Sequence, residues 1–171
     1  MPAPAEIVQL VELFQRNYDQ YHSPAFTEAA VRHQFIDPFF AALGWDVNNT
    51  QGFAEQYKEV VHEDKVKMGG ATKAPDYSFR IGKERKFFVE AKKPAVDIQT
   101  EIEPAYQLRR YAWSAKLPLS ILTDFEQLSV YDCRARPAVT DKASAGRILL
   151  LNYQEYGERW DEIADVFGKA A

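Results

Sequence analysis

The sequence predicts an α/β protein built on a central mixed β-sheet flanked by helices. Three observations carry that reading. Apolar residues recur at helical spacing near both ends of the chain, strand-length apolar runs fill the middle, and one helical stretch separates two strand pairs. The resulting order, αα–β–ββ–α–ββ–β–α, is that of a sheet covered by helices.

Residues 5–21, "AEIVQLVELFQRNYDQY", put Ile7, Leu10, Val11, Phe14 and Tyr18 on one helical face. "SPAF" follows, with Ser23 expected as N-cap and Pro24 as first helical residue. The next helix carries Phe26, Ala29, Ala30, Phe35 and Ile36 inward. A break or kink is expected at Asp37-Pro38, and Gly44 is the expected stop. Trp45 is expected in the core at that turn, and residues 45–56 as loop, before a strand candidate in "QYKEVVHED".

"MGGATKAP" reads as punctuation. Two strands follow, Asp76–Ile81 and Lys86–Lys92, joined by "GKER", and Pro94 ends the second. "TEIEPAYQLRRYAWSAK" is helical in pattern, with Ile102, Ala105, Tyr106, Leu108 or Arg109, and Ala112 available for one face, and Trp113 is expected in the core. "LPLSILTD" and "EQLSVYDC" form another strand pair, "RILLLNY" a strand or apolar connector, and "YGERWDEIADVFG" a closing amphipathic helix.

The 46% hydrophobic and 27% charged composition is that of a globular chain. No apolar run approaches the roughly 18–20 residues that span a bilayer, and "MPAPAEIVQLVE" lacks a signal peptide's basic and apolar regions. A lone Cys133 excludes an internal disulfide, and no cysteine–histidine cluster suggests zinc. The expectation is a soluble, cytoplasmic protein with no membrane association. Net charge is −4, from 21 Lys+Arg against 25 Asp+Glu, which argues against tight independent binding to nucleic acid. The positive residues nevertheless gather between Lys65 and Arg110, enough for a local basic face.

The chemistry concentrates in residues 74–94, "APDYSFRIGKERKFFVEAKKP". Side chains alternate along a strand, so Glu90 and Lys92 share a face, with Cα atoms roughly 6–7 Å apart. A turn of about "GKER" lets Asp76 face Glu90 across the antiparallel pair. Two carboxylates so close repel unless protonated or bridged by a cation. Mg2+ prefers hard oxygen ligands, keeps several waters and completes its shell with substrate phosphate. An adjacent lysine can hold the attacking water. Asp, Glu and Lys thus form a minimal set for metal-assisted phosphodiester hydrolysis. The residues alone leave a second reading open, an acid–lysine surface pair on a solvated edge strand. A glycosidase pair is disfavoured, because Lys92 beside Glu90 favours the ionised acid.

With "PDYSF" and "VEAKKP" the chain resembles the PD-(D/E)XK nuclease superfamily, and within it the N-terminal endonuclease domain of type I restriction motor subunits and type IIG restriction-modification enzymes. "FTEAAVRHQFIDPFFAALGWDV", "QLRRY" as a Q-x-x-x-Y motif, and "SILTDFEQLSVYD" extend the resemblance over nearly all of residues 23–167. It implies a restriction-endonuclease-like core at 23–167, preceded by an N-terminal helix at 1–22, in a single nuclease domain that is a fragment or module of a larger restriction-modification protein. Asp76 and Glu90 would ligate Mg2+, for which Mn2+ substitutes, together with the Ala91 backbone carbonyl and Glu28. Lys92 would position or activate the water. Gln107 and Tyr111, four apart on a helix, would border the site and contact DNA or orient Lys92. Lys93 points away from the Lys92 face and is expected to contact backbone phosphate or solvent.

Read without the resemblance, Glu28 is a helix partner for Arg32, and His22, His33 and His62 are structural or surface residues. The implied partners are double-stranded DNA, further domains or subunits for methylation, target recognition or translocation, and a second copy for double-strand cleavage. The competing function is a non-catalytic nucleic-acid-binding or interaction module that keeps the nuclease fold. The Gly-Gly at 69–70 lacks the G-K-[ST] continuation of an ATPase P-loop.

Overall fold

A computed structural model of the protein describes residues 2–68 and 71–171. The first apolar stripe forms α1 (Ala5–Arg16), burying Ile7 and Phe14. The helix predicted to reach residue 21 breaks at Asn17, and a single turn, α2 (Tyr18–Tyr21), follows. Ser23 does not cap the next helix: its hydroxyl accepts from the Ala25 N–H within a local turn. Thr27 does, accepting from the Ala30 N–H at 3.1 Å, so α3 (Glu28–Val31) starts after it. The expected interruption at Asp37-Pro38 takes the form of a π-helical turn, Arg32–Ile36, leading into α4 (Asp37–Ala42). Proline brings no N–H to the helical ladder, and the widened turn before it absorbs the mismatch. Gly44, at φ +98°, ends the helix as expected.

A 3-10 turn, Glu55–Tyr57, precedes β1 (Val60–His62). Part of the stretch read as punctuation is instead strand: β2 (Val66–Met68) and β3 (Ala71–Lys73) form a separate antiparallel ribbon. Gly69 and Gly70 lie outside the described residues. The chain continues through β4 (Tyr77–Ile81), β5 (Glu84–Ala91), α5 (Ile102–Ser114), β6 (Leu119–Thr123), β7 (Gln127–Asp132) and β8 (Arg147–Asn152). A 3-10 turn, Tyr153–Glu155, and α6 (Trp160–Phe167) close it. "RILLLNY" is therefore strand rather than connector.

Six strands make one sheet in the order β1-β4-β5-β6-β7-β8. Only β5 and β6 run parallel, joined through α5, so the sheet is mixed as predicted. The period of two divides β5 between two cores. Phe87 and Val89 join Tyr77, Phe79, Ile121, Val130 and the aromatic residues of α1, α4 and α6 in the larger one. Phe88 joins Leu122, Tyr131, Val66, Met68 and the inner face of α5 in the smaller.

Trp45 is buried as expected, its indole N–H donating to the Phe167 carbonyl at 2.8 Å. Trp113 is not a core residue. Ala105, Leu108 and Ala112 take the sheet-facing side of α5, and Trp113, one residue further round the helix, is 38% exposed with the Arg136 guanidinium 5.4 Å from its ring centre. Ile102 is exposed too, whereas Arg109 is buried and paired with Asp141 at 2.8 Å.

Candidate active site at the end of the β4–β5 pair

Asp76 lies immediately before β4, and Glu90 is the penultimate residue of β5. The register that pairs Tyr77 with Val89 sets Asp76 opposite Glu90. Each carboxylate then accepts a main-chain N–H from the other strand. Asp76 N–H donates to Glu90 Oε1 at 2.7 Å, and Ala91 N–H donates to Asp76 Oδ2 at 2.8 Å. Lys92 follows Glu90 by two residues, which keeps it on the same face, and its own N–H donates to the Thr123 carbonyl at 3.1 Å, continuing the parallel ladder. Among the described residues no hydrogen bond or ion pair engages the Lys92 ammonium.

Burial and proximity shape the charges. Burial, then the facing Asp76 charge, pushes the Glu90 carboxyl up to about 8, against the pull of the Asp76 N–H bond and Lys92. Burial also raises Asp76, while the Ala91 N–H, Arg32 and Lys92 act to lower it. Glu28, first residue of α3, is raised by burial and by Asp76 and drawn down by Lys92 and Arg32, which places it within electrostatic reach of the pair. Tyr111 on α5 is raised by burial and then by the charges of Glu90 and Asp76, so it borders the site from the opposite helical layer. Gln107 lies one turn earlier on α5 and is half-buried. Ala91, fully buried, ends β5 beside both acids. Lys93 turns away, its ammonium donating to the Pro24 carbonyl at 3.4 Å.

Arg32 follows Glu28 by four residues, the spacing of a helix ion pair. Its ion pair is instead with Asp76 Oδ1, at 3.6 Å. The guanidinium lies 4.8 Å from the Tyr77 ring centre, and the Tyr77 hydroxyl donates to Asp37 Oδ1 at 2.6 Å. The His62 ring lies between the Val47 carbonyl, 3.2 Å from Nε2, and an Arg32 nitrogen, 3.4 Å from Nδ1. Nothing in the linear spacing of Arg32, His62 and Asp76 marks this cluster; the contact of Arg32, at the start of the π-helical turn, with Asp76 and Tyr77 at the start of β4 assembles it.

Among the described residues no three His, Cys, Asp or Glu side chains converge closely enough to hold a metal ion by themselves. The Asp76–Glu90 pair still fits a hard divalent cation in donor chemistry. Both are carboxylates brought face to face, and Mg2+ is ordinarily held by one or two carboxylates with water and substrate oxygens in the remaining positions.

No family model matches the chain. It is 42% identical over 166 residues to the type II restriction enzyme and methyltransferase RM.Eco57I of Escherichia coli, covering 96% of this chain and 17% of that protein. The solved structure of the type IIG restriction endonuclease BpuSI superposes with a TM-score of 0.51 over 82% of this chain and 17% of its own, at 18% identity, a likeness in fold. No described helix is long and apolar enough to cross a membrane. Similarity over nearly the whole chain to part of a restriction enzyme and methyltransferase, together with a fold shared with a solved restriction endonuclease, makes this chain a domain of restriction-endonuclease-like fold.

Proposed function

We propose that the domain hydrolyses phosphodiester bonds of double-stranded DNA in a Mg2+-dependent reaction, as a PD-(D/E)XK endonuclease of a restriction-modification system. The observation that carries this reading is the facing of Asp76 and Glu90 across β4 and β5, with Lys92 two residues further along the same face. Asp76 and Glu90 would hold the ion with the Ala91 carbonyl, Glu28 would complete the shell through a bound water, and Mn2+ would substitute. The bound ion supplies Lewis-acid stabilisation of charge on the phosphoryl oxygens. Lys92, carrying an ammonium with no partner among the described residues, orients the attacking water. Tyr111 and Gln107 wall the site from α5 and steady Lys92 or the DNA, and Lys93 meets backbone phosphate.

The chain spans 17% of the length of the restriction enzyme and methyltransferase it matches. We read residues 23–167 as the nuclease core and residues 1–22 as an added helix. Methylation, target recognition or translocation would belong to further domains or subunits, and pairing of two nuclease domains would cut both strands. That division suits a net charge of −4, since DNA affinity would come from elsewhere. The setting for this work is the cytoplasm. Nicking of supercoiled plasmid, compared with and without Mg2+ and between the native chain and Lys92→Ala, tests the reading. Metal-dependent nicking lost in the variant supports it; nicking that survives the substitution refutes the assigned chemistry.

A further inference from the structure

Arg32 is held at the site by several contacts, none of them short. Its nitrogens lie 3.6 Å from Asp76 Oδ1, 3.5 Å from the Asp76 carbonyl, 3.4 Å from the Tyr77 hydroxyl and 3.4 Å from His62 Nδ1. A committed arginine–carboxylate pair is shorter, about 2.7–2.9 Å, and often bidentate. Asp76 makes a tighter bond elsewhere, to the Ala91 N–H at 2.8 Å. The Val47 carbonyl can only accept, so His62 Nε2 carries the hydrogen facing it and Nδ1 presents a lone pair to Arg32. The guanidinium thus rests among weak acceptors, over the face of Tyr77, with its side chain still 22% accessible. It also opens the π-helical turn Arg32–Ile36, an irregularity of the kind that gathers at functional sites.

A divalent cation held by the Asp76 carboxylate and a guanidinium 3.6 Å from Asp76 Oδ1 would repel each other. Arg32 must yield, and its loose contacts let it do so while the Tyr77 ring keeps it nearby. A planar fork released beside a metal–carboxylate site suits the non-bridging oxygens of a phosphodiester. We propose that Arg32 is the anion-binding residue of the site, neutralising Asp76 at rest and turning to the scissile phosphate when a divalent ion takes Asp76. This inference rests on the nuclease reading above.

Calorimetric titration with Mn2+ separates the two. Arg32→Met, which removes the competing cation, is expected to bind Mn2+ about 3- to 10-fold more tightly. The same variant should bind a short DNA duplex in Ca2+ about 10-fold more weakly, and Arg32→Lys should recover part of that loss. Unchanged or weaker Mn2+ binding by Arg32→Met, or unchanged DNA affinity, overturns the assignment. If Asp76→Asn abolishes Mn2+ binding while Arg32→Met does not tighten it, Arg32 alone is misassigned. If Asp76→Asn leaves Mn2+ binding intact, the nuclease site itself is wrong.

Discussion

The main-chain nitrogen of Asp76 lies 2.7 Å from Glu90 Oε1 and donates to it, while the residue after Glu90 returns a bond to Asp76 Oδ2 at 2.8 Å. The two acids are therefore aimed chiefly by the strand ladder, with Arg32 a looser contact to Asp76 at 3.6 Å. A one-residue slip of β5 against β4 would send Glu90 to the opposite face and dissolve the pair. Site and sheet register are one feature.

Replacing Lys92 with alanine should separate chemistry from folding. The side chain is half-buried and has no hydrogen-bond partner among the described residues. Plasmid nicking should fall by about 100-fold or more, while the melting temperature of the metal-free protein moves by only about 2 °C. A large loss of stability would instead mark Lys92 as structural.

Glu90 should make the metal-free protein less stable as pH rises. Its carboxyl is held up at about 8 in the folded state, against an ordinary 4.5. Between those values the folded protein keeps a proton that the unfolded chain has released, so stability is full below about pH 4.5 and is lost as pH climbs through about 8. Thermal melts from about pH 5 to about pH 8 should show a falling Tm, and Glu90→Gln, neutral throughout, should flatten the slope. Ion binding requires the ionised acids, so added Mg2+ should raise Tm more at about pH 8 than at about pH 6.

Two aromatic substitutions should differ sharply in cost. Phe35 is fully buried and packs against Phe14, Tyr21, Phe26 and Phe125. Phe35→Ala should cost about 3–5 kcal/mol in denaturant unfolding. Trp113 is 38% exposed and stacked on Arg136, so Trp113→Ala should cost about 1 kcal/mol or less. Equal losses would contradict the placement of α5.

The facing of Asp76 and Glu90 was legible because a strand period of two and a short turn leave little freedom in register. The mixed sheet followed from one helix separating two strand pairs. Three features were not legible, each for a local reason. Ser23-Pro24 and Thr27-Glu28 are both capping signals, and only tertiary packing selects the second. Strands of three residues, as in β2 and β3, are too short to display a period, and burial of Val66 and Met68 against α5 holds them. Arg32 follows Glu28 by one helical turn, so its sequence position suggested a surface pair; the approach of β4 turns it to Asp76 instead.

Calorimetric titration of Mn2+ into the native domain and Asp76→Ala tests the central claim most directly, because it reads the paired acids without requiring DNA. The account predicts saturable binding to the native protein and its loss in the variant. Identical binding by both proteins would contradict it.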